Sequence, residues 1–279
     1  MTRVLFILLL GLLPCGPQSS AQAAPKRPPQ AKTQAEYKDY NAAYATSGAA
    51  AMEKAADTFA AKYPDSELRS FLYGKALHEY QLEDNRDKML EMGNKVLALD
   101  PDNVVALSLS ATVLSDELPG PDAGTVSGDD RQKKIAEIRK NASHALEVIE
   151  TSFVPPPGST PQQITAYKNT LRSMAHSALG ITSLKSGDDA GAEKEFKVAA
   201  DAGQAQPDPF VWYHLALAQD HQKKYSEALV SVDQALRSVG SNAELGKLAA
   251  GERERLQQLT GAGTVPPAQP QPNQAQPPR

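Results

Sequence analysis

Between residues 35 and 260 apolar side chains recur every three or four positions, and clusters of Gly, Pro, Asp, Asn and Ser interrupt them about every 12 to 20 residues. That spacing gathers the apolar positions into one stripe along a helix. No stretch sustains the two-residue alternation of a half-buried strand, so the pattern predicts an all-α fold. In RDKMLEMGNKVLALDPDN, residues 86–103, Met89, Gly93 and Val96 share a face and the run ends at Pro101. Proline has no N–H to donate and its ring clashes with the preceding turn, so it stops the helix; Asp102 or Asn103 is then placed to cap the next one. Pro64 repeats the device in AADTFAAKYPDSE, residues 55–67, and Asp208-Pro209 reads as a cap followed by a first turn.

The register of the stripe also repeats. Ala192, Phe196 and Ala199 stand at i, i+4 and i+7, and Ala228, Val232 and Ala235 stand in the same relation 36 residues later. Twelve residues before each set is a small residue, Gly180 or Ala216, preceded by Leu179 or Leu215, with His176 or Trp212 four residues ahead of it. Self-similarity at a fixed period marks a stack of supersecondary units, none of which can bury its apolar face alone. These residues resemble the tetratricopeptide repeat (TPR) family, whose unit of about 34 residues has a large residue, Leu and a small residue on one helix, then Ala, an apolar residue and Ala on a second. The best match is WYHLALAQDHQKKYSEALVSVDQAL, residues 212–236; Gln219 replaces the family's Tyr, and Gly240 stands where its terminal proline would be.

The resemblance implies an α-solenoid of helical hairpins over residues 35–260, about five helix pairs plus a C-terminal cap helix. An early unit has Tyr73 and Tyr80 on its first helix and Met89, Gly93, Val96 and Pro101 on its second. A further unit runs from Val104 to Leu114, with Ala111 as the small residue, and from Gln132 to Glu150, with Ile138, Ala142 and Ala145 at packing positions. The loop DELPGPDAGTVSGDD is inserted between them. Thr160-Pro161-Gln162-Gln163 is a capping box opening the helix that leads into the Gly180 unit, and Ser241 with Glu244 is expected to open the cap helix.

Composition narrows the core and the partners. With 41% hydrophobic residues, 6% aromatics and one Trp, the core must be built mainly of Ala, Leu, Val and Met, which suits helices. A net charge of −4, with no Lys/Arg block in the repeat region, removes the electrostatic case for nucleic acid. The start is different in kind: Arg3, the apolar run Val4 to Leu13, then Ala21-Gln22-Ala23 have the three parts of a secretory signal peptide over residues 1–23. Cleavage is expected after Ala23, leaving a secreted or periplasmic chain. The alternative turns on Cys15. Leu12-Leu13-Pro14-Cys15 loosely resembles a bacterial lipoprotein box, although proline stands where that family has a small residue, and lipidation there would make a membrane-anchored protein of cell-envelope or outer-membrane assembly. Residues 24–34 read as a proline-rich linker and 261–279 as a disordered Pro/Gln-rich tail containing a Pro267-x-x-Pro270 spacing.

No motif carries catalytic chemistry. His78-Glu79-Tyr80-Gln81-Leu82 begins like the zinc-protease helix, but Leu82 stands where the second histidine must be. Gly74-Lys75 lacks the glycine-rich loop that cradles phosphates, and Asn141-Ala142-Ser143 places a glycosylation pattern inside a predicted helix. The five histidines form no i, i+4 pair, and the acidic residues alternate with lysines as on a solvated helix face. Neither an enzyme nor a cofactor is expected.

In TPR proteins the first helix of each pair lines the concave surface, and the resemblance transfers that role to Phe71, Lys75 and His78; Val105, Leu109 and Thr112; Met174, Ala178 and Ile181; and Phe210, His214 and Leu217. This set is more apolar than a solvated face requires, and it lacks the Lys/Asn pattern with which some relatives clamp a terminal carboxylate. It predicts a protein or peptide partner, extended or helical, held by apolar pockets.

Overall fold

The computed structural model describes residues 26–120, 127–156 and 158–261. The expected signal peptide with Cys15, and the Pro/Gln-rich tail beyond Gly261, lie outside the described residues. The described residues form eleven helices and no strand: α1 (Gln34–Tyr44), α2 (Ala49–Lys62), α3 (Arg69–Leu82), α4 (Arg86–Leu99), α5 (Val104–Asp116), α6 (Gly128–Ser152), α7 (Pro161–Lys185), α8 (Asp189–Ala202), α9 (Pro209–His221), α10 (Tyr225–Ser238) and α11 (Ala243–Thr260). Each helix packs on the next one in the chain, and α5 also packs on α7. The result is an all-α stack of helical hairpins, as the resemblance implied.

Local chemistry sets the helix boundaries. α4 stops before Pro101, and Asn103 caps α5 by accepting the N–H of Ala106 at 3.1 Å. Asp208 caps α9 through the N–H of Phe210 at 2.8 Å, with Pro209 in the first turn. Thr160 and Gln163 close both halves of a capping box at α7. At α11 the cap is Asn242, accepting from the Leu245 N–H at 3.0 Å, rather than Ser241. The helix starts one residue later than the Ser241/Glu244 pattern suggests, and Asn is an equally good cap.

Three hairpins share one turn. The N–H of Asn85 reaches back to the carbonyl of Tyr80 at 3.0 Å, Asp188 to Ser183 at 2.9 Å, and Lys224 to Gln219 at 2.9 Å. This six-to-one bond closes a helix C-terminus through one left-handed residue, here Asp84 (φ 50°), Gly187 (φ 79°) and Lys223 (φ 62°). Gly187 and Lys223 are 36 residues apart, the same period as the apolar register. The turn is therefore a second, backbone-level signature of the repeat.

Packing follows the sequence register. Ala192, Phe196 and Ala199 on α8 and Ala228, Val232 and Ala235 on α10 are all fully buried. Phe196 fills the space left by Gly180 on α7, where an added Cβ would come within 2.7 Å of the ring. α9 lies between the two second helices and packs on both. Its Val211, Leu215 and Ala218 join the α8 cluster, while Ala216 joins α10 and α11.

A buried carboxylate ties the α8 hairpin to the α9–α10 turn. Glu193, 5% exposed, accepts hydrogen bonds from Lys224 Nζ (2.6 Å), Lys197 Nζ (2.7 Å) and Gln222 Nε2 (2.9 Å). Burial alone would raise its pKa, but the three donors outweigh it and hold the group down at about 2. A depressed folded pKa contributes stability that is complete above the unfolded value, about 4.3, and is lost as pH falls through the folded one. Glu193→Gln should therefore lower the urea midpoint at pH 7, and the gap from the parent should narrow between pH 5 and pH 3. An equal gap at both pH values would contradict this role.

Candidate functional site in the concave cleft

The first helices of the second, third and fourth hairpins, α3, α5 and α7, enclose an open cleft of about 380 Å³. Phe71 and Leu77 come from α3, Val105 and Leu109 from α5, and Leu171 and Met174 from α7. The helical period presents these positions on the inner face once each hairpin's other stripe is buried against its neighbours. His78, Gln81 and Asn103 form a polar rim. The volume lies in the range of ordinary ligand pockets, and the walls are apolar with a few polar groups at the edge. Below it, a second cavity of about 510 Å³ continues along α7 toward the α8–α9 loop and shares Tyr167, Thr170 and Met174 with the first. Thr112 and Asp208 face this second space.

Of the twelve positions that the resemblance assigns to the concave face, Phe71, His78, Val105, Leu109 and Met174 converge on the first cleft, and Thr112 and Met174 on the second. Ala178 (1% exposed) and Ile181 (7%) are core side chains of α7 that line neither cavity, whereas Leu109, also a core side chain at 6%, forms part of the first cleft's wall. Lys75 is turned toward the α1–α2 connection, where Nζ donates to the Thr46 carbonyl at 2.6 Å and to Glu79 at 3.0 Å. On α9, Phe210 is exposed and Leu217 half-buried, and neither lines these two cavities.

His214 is a packing residue. Its ring stacks on Phe196 with centroids 5.6 Å apart and planes 13° from parallel. Burial pulls its pKa down to about 4, against a smaller opposing contribution from the Phe210 backbone, so the imidazole is neutral near pH 7. The neighbouring Lys185 caps α5, donating to the carbonyls of Asp116 at 2.8 Å and Ser115 at 3.0 Å, a favourable placement at a helix C-terminus.

Three other histidines pair with carboxylates, His144 with Asp102 (2.7 Å) and Glu147 (3.6 Å), His176 with Glu195 (2.7 Å) and His221 with Asp189 (2.9 Å), while His78 meets the side-chain oxygen of Gln81 at 3.4 Å. No group of three or more metal-ligating side chains occurs among the described residues. Asn141 is 7% exposed on α6, closed to a modifying enzyme in the folded state. No helix among the described residues is long and apolar enough to cross a membrane.

Two groups of cleft residues carry no periodic signature in the sequence. Phe153 and Tyr167, with ring centroids 5.3 Å apart, wall the cleft from the α6–α7 side, although SFVPPPGST reads simply as a break. The one available signal is Phe153 itself, a large apolar residue standing where a solvated loop has no need of one. The second group is the proline-rich stretch before α1, which forms no helix or strand and lies against the fold. Lys26 and Pro29 line the first cleft, and Pro28 to Thr33 line a neighbouring cavity that also includes Phe71.

No protein-family model matches the chain, and no curated protein matches it. Among solved structures it is similar to the crystal structure of a thermophilic TPR protein from Thermus thermophilus. The two are 14% identical with a TM-score of 0.46, over 78% of this chain and 98% of that one.

Proposed function

We propose that this chain is a protein-interaction scaffold or adaptor that receives a peptide of its partner in the concave cleft and acts without turnover. The observation that carries this reading is the convergence of Phe71, Val105, Leu109 and Met174, from three separate hairpins, on one open apolar cleft. A preformed curved surface of this kind spends little free energy on ordering itself, so a few buried side chains can supply the affinity. The chain works outside the cytoplasm, after cleavage following Ala23, and a lipid on Cys15 is the alternative that would hold it at the membrane as an assembly factor.

Phe71 and Tyr167 face the cleft without being core side chains, so Phe71→Ala/Tyr167→Ala should leave the fold intact. Crosslinked recovery of partners from the native envelope should then fall sharply relative to the parent chain. Unchanged recovery by a variant with native circular dichroism would refute the cleft as the docking site. Mass spectrometry of the recovered chain reads its N-terminus in the same experiment, and Ala24 is expected there; a diacylated Cys15 would favour the anchored alternative.

A further inference from the structure

The cleft is already bordered by a peptide. Residues 26–32 form no helix or strand and lie across the connections of successive hairpins, and nearly every polar contact they make is with a connection or helix end. The N–H of Lys26 donates to the Thr151 carbonyl at the end of α6 (2.8 Å), and its ammonium pairs with Asp100 between α4 and α5. The Arg27 guanidinium grips both carboxylate oxygens of Glu67, between α2 and α3, at 2.7 and 2.9 Å. Glu67 also accepts the Gln30 N–H at 3.4 Å. Between these anchors Pro29 lies beside Phe71 at the boundary of the two cavities.

We infer that this seat recognises an extended peptide with a basic pair followed by prolines, and that residues 26–32 occupy it in cis until such a peptide displaces them; the inference rests on the peptide-binding reading above. The chemistry is complementary at each point. Two acidic side chains on separate hairpin connections meet adjacent basic residues, Arg meets carboxylate in the two-pronged geometry that Lys cannot reproduce, and prolines keep the backbone extended at small entropic cost. The Arg27 anchor is also weak enough to exchange. Arg27 and Glu67 are solvent-exposed, and ion pairs of that kind contribute little net stability. What favours the cis segment is its high effective concentration, which no longer suffices once its own charges cease to fit the seat.

The test uses a fluorescein-labelled peptide, KRPPQAK, copied from residues 26–32, and fluorescence anisotropy with the full chain. In Lys26→Glu/Arg27→Glu the cis segment is repelled from Asp100 and Glu67, and the peptide should bind about ten-fold more tightly than to the parent, because the competent fraction rises. Adding Glu67→Lys to that variant should abolish the gain. Equal affinity for parent and variant, or no binding to either, overturns the inference. Should the charge variant fail to fold by circular dichroism, Pro28→Gly/Pro29→Gly loosens the segment without altering charge and is read by the same criteria. If the peptide fails to bind while partner recovery still depends on Phe71 and Tyr167, the inference falls and the scaffold reading stands; loss of that dependence removes the reading itself.

Discussion

Replacing Phe196 by alanine is expected to cost about 3–5 kcal/mol, a large share of the total stability of an ordinary domain. The side chain is fully buried between α7 and α9, with Gly180 beneath it and His214 stacked on its face. Truncation removes the transfer free energy of the ring and leaves a cavity, since neither Gly180 nor the flat imidazole has atoms that can move in to fill it. In a linear stack each hairpin is held mainly by its neighbours, so the loss should weaken the junction of α7 and α8 with α9 more than the helices themselves. Urea denaturation followed by circular dichroism should show a lowered midpoint and a broader or split transition, with helical content before the transition near that of the parent. A variant as stable as the parent would mean that α7, α8 and α9 do not meet at Phe196.

Gly180→Leu is expected to damage the same junction from the other side. Leucine is the better helix former by roughly 1 kcal/mol, so on an exposed face the substitution would stabilise. Here even the first added carbon would lie 2.7, 2.8 and 2.9 Å from three atoms of the Phe196 ring, closer than carbon atoms approach. Leucine adds further carbons to a space already closed, and overpacking of that kind costs about 1–3 kcal/mol or more. The predicted sign is therefore the reverse of the propensity argument. A thermal melt of Gly180→Leu should fall below that of the parent, and a higher midpoint would show that the glycine is not required by a close approach.

The repeat was legible because close packing between helices leaves little choice of side chain. A glycine under a phenylalanine, and alanines at fixed offsets on α8 and α10, are imposed by the distance between neighbouring helices, so they recur with the period of the unit. Helix ends were legible for a similar reason, since Asn103, Asp208 and the Thr160 box satisfy N–H groups that have no other partner. The shared hairpin turn was not. Of its three left-handed residues Gly187 is the one that conformation favours most, Asp84 is of a type that visits it occasionally, and Lys223 gives no such signal.

The concave face was partly legible. The resemblance picks out one stripe along the first helices, which omits Leu77, Tyr167 and Leu171, and it does not say where two such helices close on each other. α5 packs on α7, which takes Ala178 into the core, and the packing of α8 and α9 at the junction of two hairpins does the same to Ile181 and His214. Phe71, Val105, Leu109 and Met174 remain around the cleft because the space between α3, α5 and α7 stays open. The seat of residues 26–32 has no periodicity to betray it. Its partners Glu67, Asp100 and Thr151 are distant in sequence and are brought to one edge only when three hairpins are stacked.

The contact between Gly180 and Phe196 is the close approach on which the packing of α7 on α8 rests. Its most direct test is a double-mutant cycle of Gly180→Ala and Phe196→Leu, measured by urea denaturation. Leucine lacks the ring atoms that an added Cβ would strike, so Gly180→Ala should be destabilising in the parent and much less so, or stabilising by its helix propensity of about 1 kcal/mol, in Phe196→Leu. If Gly180→Ala changes the free energy equally in both backgrounds, within about 0.5 kcal/mol, the two residues do not touch and the hairpin stack described here is wrong.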